Sequence, residues 1–109
     1  MAKERALSPE AERQLREWRL RIDRIDEQLV GLLNSRSACA LEIGRIKRRF
    51  GLPVYSPERE AHVLGAVTLR NPGPLEANAV VRVFERIIDE SRRLERLAQA
   101  EAPDAKGGE

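Results

Sequence analysis

Cations interrupt a long amphipathic pattern in the first half of the chain, at positions where apolar side chains should continue. Arg36 follows Leu32 on the apolar stripe, and Lys47 lies eleven residues after Arg36. Eleven residues of an α-helix return to within about 20° of the starting direction, so the two cations share a face. Ala40 and Gly44 lie between them on that face. Because a buried guanidinium is costly without an anion, the pattern predicts one wall of a pocket for a small anion.

A purely structural interpretation of the same residues stays open. Long cationic side chains commonly extend along the edge of a core to reach water, and Arg36 and Lys47 would then do the same. Gly is unfavourable inside a helix by about 1 kcal/mol relative to Ala. In this interpretation Gly44 only allows a neighbouring helix to approach closely.

Polar residues also continue the apolar stripe of a helix near the end of the chain. Ser91 and Glu95 are one helical turn apart and lie on the face of Phe84 and Ile88. Either this stripe reaches the surface there, or Glu95 is buried and needs a partner or a proton.

Arg59 and Glu60 open another predicted helix. Glu60 suits the positive end of the helix dipole, whereas Arg59 is mildly unfavourable there unless an anion binds nearby. The alternative is an ordinary surface salt bridge, which contributes little.

A single long helix must carry Arg36 and Lys47. It begins near Ser8 and Pro9, a capping residue followed by a proline at the first helical position, and it ends before Gly51 and Pro53. Its roughly forty residues would extend about 60 Å, whereas a compact chain of this length has a diameter of about 27 Å. The helix therefore needs a partner to cover it, and a homodimer is the simplest solution.

Two shorter helices complete the predicted all-α fold, an intertwined homodimeric bundle. Ser56 and Pro57 repeat the capping pattern and begin a second helix that runs to about Arg70. Asn71-Pro72-Gly73-Pro74 is a strong break, and a third helix follows from about residue 75 to 97. We predict one helical domain over residues 9–100, a flexible N-terminus over residues 1–8 and a disordered tail over residues 101–109.

Composition narrows the class of protein. Charged residues make up 35% of the chain, well above the usual quarter, but their signs alternate and the net charge is only +2, which does not favour nucleic-acid binding. Cys39 is the only cysteine and His62 the only histidine, so the sequence indicates no disulfide and no metal site. No phosphate loop or membrane-spanning stretch is evident. We expect a cytoplasmic protein without a cofactor.

Taken in order, these segments resemble the AroQ-type chorismate mutases over about residues 15 to 97. The family pattern has an Arg, two residues and Ile-Asp, then two leucines followed by Arg, then Ile-Gly and a Lys, and later an Arg-Glu pair. The matching residues are Arg19 with Ile22-Asp23, Leu32-Leu33 with Arg36, Ile43-Gly44 with Lys47, Pro53-Val54-Tyr55 with Arg59-Glu60, and finally Phe84, Ile87-Ile88 and Ser91. Each segment alone is a weak match, and all of them in order are a strong one.

The resemblance implies an enzyme that converts chorismate to prephenate, and it implies a set of site residues. One subunit would supply Arg36, Lys47, Arg59, Glu60, Ser91 and Glu95, and the other subunit would supply Arg19. Helix geometry supports this division, because Arg19 lies about 25 Å along the axis from Arg36 and about 100° around it. Ser56 departs from the family, since many members have Asp there, and Trp18 stands where a Leu is usual.

The mechanism that the resemblance implies is a concerted rearrangement without a nucleophile. Arg19 and Arg36 would bind the two carboxylates of chorismate, Lys47 the ether oxygen, and Glu60 the ring hydroxyl, while Arg59 and Ser91 orient the ligand. Glu95 can donate to the ether oxygen only when protonated. We therefore expect activity to fall as the pH rises.

Three alternatives remain at this point. An isochorismate pyruvate-lyase shares the fold and much of the cationic pocket. A regulatory mutase-like module would bind an aromatic-pathway synthase, since the break at residues 71–74 resembles that of mutase domains fused to such synthases. The simplest alternative is a helical-hairpin dimer without a pocket.

Overall fold

The computed structural model describes residues 8–101, which form three α-helices: α1 (Pro9–Phe50), α2 (Pro57–Arg70) and α3 (Ala77–Gln99). Residues 8–101 contain no β-strand. The predicted all-α class, with one long helix and two shorter ones, is confirmed. Apart from Ser8 and Glu101, the termini that we predict to be flexible or disordered lie outside the described residues.

The ends of α1 are set by local hydrogen bonds. Ser8 Oγ accepts from the backbone N–H of Ala11 at 3.0 Å, as expected for an N-cap. At the other end, Gly51 has a φ of +68°, Gly51 N–H donates to Arg48 O at 3.3 Å, and Leu52 N–H donates to Lys47 O at 2.7 Å. This pair of bonds around a left-handed glycine is a Schellman motif, which explains why the helix ends at Phe50.

The start of α2 agrees with the sequence, but the role of Ser56 does not. Pro57 occupies the first helical position as predicted, whereas the Ser56 side chain makes no capping hydrogen bond. Only its backbone carbonyl accepts, from Glu60 N–H at 3.0 Å. The prediction of a Ser56 side-chain cap is wrong, and that side chain lines a cavity instead.

Helix α3 begins at Ala77, two residues later than predicted. Asn71 holds the preceding turn, because its Oδ1 accepts from Gly73 N–H at 3.1 Å and its Nδ2 donates to Leu75 O at 2.7 Å. The Leu75 carbonyl is therefore engaged by a side chain of the turn, and the helix starts only after Glu76.

The chain divides into two compact units between Ser35 and Arg36. The second unit contains the end of α1 together with α2 and α3. Within it, α2 packs against α3. Its most buried residues are Ala40, Gly44, Ile88, Glu95 and Ala98. Small residues dominate this core, and a carboxyl side chain belongs to it.

The first unit, as far as it is described, is the N-terminal part of α1. Large apolar side chains remain exposed along it, for example Trp18 at 60% and Leu32 at 67% of their surface. The full set between residues 15 and 33 is Leu15, Trp18, Leu20, Ile22, Ile25, Leu29, Val30, Leu32 and Leu33. So many exposed apolar side chains on one helix are typical of an interaction surface.

None of the helices in residues 8–101 has an apolar stretch long enough to cross a membrane.

Candidate active site

A cavity of about 360 Å³ lies within the second unit, between residues of all three helices and of the connection before α2. Six of the seven predicted site residues line it, namely Arg36, Lys47, Arg59, Glu60, Ser91 and Glu95. The structure thus brings together residues as far apart in sequence as Arg36 and Glu95, which are 59 positions apart.

Arg36 and Ser91 form one side of the cavity. Arg36 Nη1 donates to Ser91 Oγ, which in turn donates to Ile87 O at 3.1 Å. The guanidinium is therefore held by α3 rather than extended to bulk water. This contact excludes the interpretation of Arg36 as a cation that only snorkels to the surface.

Lys47 and Glu95 form a second, more buried pair. Lys47 Nζ lies 2.7 Å from Glu95 Oε1, and the same ammonium donates to Val54 O at 2.8 Å. The side chains of Lys47 and Glu95 are only 17% and 12% exposed. The apolar stripe of α3 therefore does not reach the surface at Glu95, and the partner that a buried carboxylate requires is Lys47.

Ala40 and Gly44, the small residues on the same face of α1 as Arg36 and Lys47, have different roles. Ala40 lines the cavity, as predicted. Gly44 instead allows close packing of α3, because a Cβ atom there would lie 2.8 Å from Ala98 Cβ and 2.9 Å from the Glu95 backbone. The structural interpretation of Gly44 is thus the one that the structure supports.

Glu60 projects from α2 toward an arginine that the sequence analysis missed. Arg92 Nε lies 2.8 Å from Glu60 Oε2, and Arg92 also lines the cavity. The signal was present, because Arg92 follows buried Ile88 by four residues and precedes buried Glu95 by three. This is the same helical spacing that identified Arg36 as a cation on an apolar stripe.

Arg19 and Ser56 complete the comparison with the predicted site. Arg19 belongs to the first unit, where it is exposed, so its role stays a prediction. The half-buried Ser56 lines the cavity. A neutral hydroxyl there makes the cavity less acidic than an aspartate would.

The cavity carries an excess of positive charge. Its lining includes four cations, Arg36, Lys47, Arg59 and Arg92, and two carboxylates, Glu60 and Glu95, so its formal charge is +2. Guanidinium groups favour planar anions such as carboxylates, with which they can form paired hydrogen bonds. The apolar side chains of Ile43, Val63 and Ile88 also belong to the lining. This combination fits a small, partly apolar dianion.

Comparison with known proteins identifies the family. The family model for chorismate mutase type II matches residues 18–96, which is more than half of the chain. The chain therefore belongs to the type II chorismate mutase family.

Individual relatives agree with this assignment. A bifunctional chorismate mutase/prephenate dehydratase of Pseudomonas aeruginosa is 41% identical over 87 residues, which cover 75% of this chain and 24% of that protein. The chain thus spans about a quarter of the length of this relative. A solved chorismate mutase structure from Thermus thermophilus has a TM-score of 0.75 at 34% identity, and the match covers 76% of this chain and 94% of that one.

A second solved structure was determined with a ligand. The chorismate mutase of Helicobacter pylori in complex with prephenate has a TM-score of 0.74 at 30% identity, and the match covers 81% of this chain and 96% of that one.

Proposed function

We propose that this protein is a chorismate mutase, which rearranges chorismate to prephenate in the biosynthesis of phenylalanine and tyrosine. The observation that carries this proposal is the cavity itself, whose lining of four cations and two carboxylates has a formal charge of +2. Chorismate is a small dicarboxylate, so its two negative charges match that excess. Membership of the chorismate mutase family supports the same reaction.

The reaction needs a folded conformer of the substrate and stabilisation of the charge that develops across the breaking ether bond. Arg36, already oriented by Ser91, binds one carboxylate through its guanidinium fork. Lys47 donates to the ether oxygen, where negative charge develops in the transition state. Glu60 accepts from the ring hydroxyl, and Arg59 and Ser91 orient the ligand within the cavity.

Lys47 and Glu95 can both take part in binding the ether oxygen. In the structure the ammonium is bonded to Glu95 Oε1 and Val54 O, so one of its three donors remains for a ligand. When the ether oxygen accepts from Lys47, a protonated Glu95 can donate to the same oxygen. Glu95 forms an ion pair with Lys47 in the free protein, so its carboxylate would have to take up a proton from solvent before it donates to the substrate.

We also propose that the active form is an intertwined homodimer. The exposed apolar side chains between residues 15 and 33 of α1 provide the surface that a second copy would cover. Arg19 lies on the same stretch of helix. In the dimer, Arg19 of the partner subunit would bind the second carboxylate of the substrate.

The direct test is to incubate the purified protein with chorismate, follow the loss of its absorbance, and identify the product as prephenate. Saturable conversion, abolished by Lys47→Met but retained by Arg45→Met on the exposed face of α1, is the expected result. No conversion by a folded protein would contradict the proposal. Salicylate and pyruvate from isochorismate would identify the lyase instead.

Association with another enzyme of the aromatic pathway is a further part of the proposal, as is a cytoplasmic location. The Pseudomonas aeruginosa relative combines mutase and prephenate dehydratase in one protein, which supports association between such activities. The partner predicted from residues 71–74 is a synthase. Titrating that synthase into the mutase assay should raise the rate if the two bind, whereas an unchanged rate with no co-elution would contradict the association.

A further inference from the structure

Arg92 is held in the cavity wall from three sides. Its Nε atom lies 2.8 Å from Glu60 Oε2 on α2, and its Nη2 donates to Asp89 Oδ1 at 2.8 Å. The guanidinium carbon lies 5.7 Å from the centre of the Tyr55 ring. A guanidinium restrained by a carboxylate and an aromatic ring loses little further freedom when it contacts Glu60.

The pair formed by Arg92 and Glu60 differs from the surface salt bridges of this protein. Their side chains are 30% and 23% exposed, whereas those of Arg86 and Glu90 on the same helix are 75% and 48% exposed. Solvent therefore screens the attraction between Arg92 and Glu60 less. The Arg92 Nε atom is itself buried and lacks an aligned hydrogen bond among the described residues.

The contact also determines how Glu60 can meet a ligand. Arg92 occupies the side of Oε2, so Oε1 is the oxygen left to accept a hydrogen bond from a molecule in the cavity. A carboxylate accepts hydrogen bonds only, and it therefore selects a hydroxyl donor on the substrate. Arg59 and Lys47 also line the cavity, and without Arg92 these two cations would compete for the carboxylate of Glu60.

We propose that Arg92 is a positioning residue that aims Glu60 at the ring hydroxyl of the substrate and thereby sets the requirement for that hydroxyl. The inference rests on the proposed mutase function. It assigns no direct substrate contact to Arg92. Its effect must therefore pass through Glu60 and through the hydroxyl.

The experiment compares kcat and KM of the native protein, Arg92→Met and Arg92→Lys, with chorismate and with an analogue that lacks the ring hydroxyl. We expect Arg92→Met to lower kcat/KM for chorismate about tenfold, an interaction energy within the range typical of residues that share one salt-bridge network. The analogue, which makes no use of Glu60, should lose less than twofold. Arg92→Lys should recover part of the lost kcat/KM, because lysine restores the positive charge but not the planar, paired donors of the guanidinium group.

Two further variants separate positioning from other roles. In a Glu60→Gln background, Arg92→Met should change kcat/KM by less than twofold, because the interaction is already lost. Arg93→Met is the matched control, since the neighbouring Arg93 is 67% exposed and pairs only loosely with Glu90 at 3.9 Å. It should behave as native protein.

The outcomes are distinguishable. An equal loss for chorismate and the analogue, or a full additional loss in the Glu60→Gln background, would overturn the inference in favour of direct contact by Arg92. An unchanged Arg92→Met variant would also overturn it. If circular dichroism shows that Arg92→Met does not fold, Asp89→Asn replaces it, because this variant weakens only one of the contacts that hold Arg92. Asp89→Asn should lower kcat/KM for chorismate by a smaller factor and leave kcat/KM for the analogue unchanged. A native protein that does not convert chorismate would refute the proposed function itself, and the inference with it.

Discussion

Lys47 Nζ and Glu95 Oε1 are 2.7 Å apart across the interface of α1 and α3, and they form an ion pair whose side chains are less than one fifth exposed. Both groups also line the cavity. In the free protein each satisfies the other, so neither charge is left buried alone. A substrate that accepts from the third donor of Lys47 would therefore lie next to Glu95, which couples ligand binding to the state of Glu95.

The first prediction concerns pH. Because a carboxyl group donates a hydrogen bond only in its protonated form, we expect the rate to fall as the pH rises if Glu95 donates to the ether oxygen. The charged groups that share its cavity are Arg36, Lys47, Arg59, Glu60 and Arg92. Glu95→Gln, which donates at every pH, should show a flatter profile of kcat against pH. Glu90→Gln, at an exposed position of α3, is the control and should keep the native profile. Superimposable profiles for native protein and Glu95→Gln would show that Glu95 has no such role.

The second prediction concerns Arg36. Arg36→Ala removes a guanidinium that Ser91 orients, and loss of one such donor typically lowers kcat by about 10²–10³. The variant should still fold, because the contact is polar and lies at the cavity wall. Steady-state kinetics and circular dichroism measure the two effects. Arg45→Ala on the same helix removes only exposed ion pairs with Glu42 and Glu101 and should remain active. Full activity of Arg36→Ala would refute the assignment of the cavity.

The third prediction concerns Gly44. A methyl group there would meet Ala98 and the backbone of Glu95 at less than 3.0 Å, and backbone atoms cannot move aside cheaply. Overpacking costs about 1–3 kcal/mol, partly offset by roughly 1 kcal/mol of better helix propensity, so Gly44→Ala should lower the free energy of unfolding and displace Glu95. Thermal unfolding at a fixed protein concentration, together with kcat, measures both effects.

Gly65→Ala on α2 is the matched control for that experiment. Nothing lies within 4 Å of a Cβ atom at Gly65, so this variant should be unchanged or more stable by up to about 1 kcal/mol. If Gly44→Ala were as stable and active as Gly65→Ala, close packing at Gly44 would not matter.

The fourth prediction concerns Arg19 and the dimer. If Arg19 acts in the site of the other subunit, then Arg19→Ala and Lys47→Met should each be inactive alone. Unfolding and refolding them as an equal mixture should restore about a quarter of the native activity, since half of the dimers are mixed and each mixed dimer has one complete site. Mixing two preparations of Arg19→Ala is the control. Failure of the mixture, in a protein shown to be dimeric, would mean that Arg19 serves its own chain or no site.

Local features of this fold were predictable from the sequence because the interactions that produce them are local. Ser8 caps α1 through a bond to a residue three positions away, and Gly51 ends it through bonds that span three to five residues. The spacing of Arg36 and Lys47 likewise follows from the period of a single helix. Together with the family pattern, these features predicted six of the residues that line the cavity.

Tertiary structure decided the pairings across helices, since these depend on how the helices pack against one another. The contact of Lys47 with Glu95 joins residues 48 positions apart, and no helical period relates them. The packing of the helices also explains why α3 approaches closely at Gly44. It places Ser56 in the lining of the cavity and brings Arg92 into contact with Glu60. Helical periodicity specifies which face a side chain occupies, but only the packed helices specify which group it meets there.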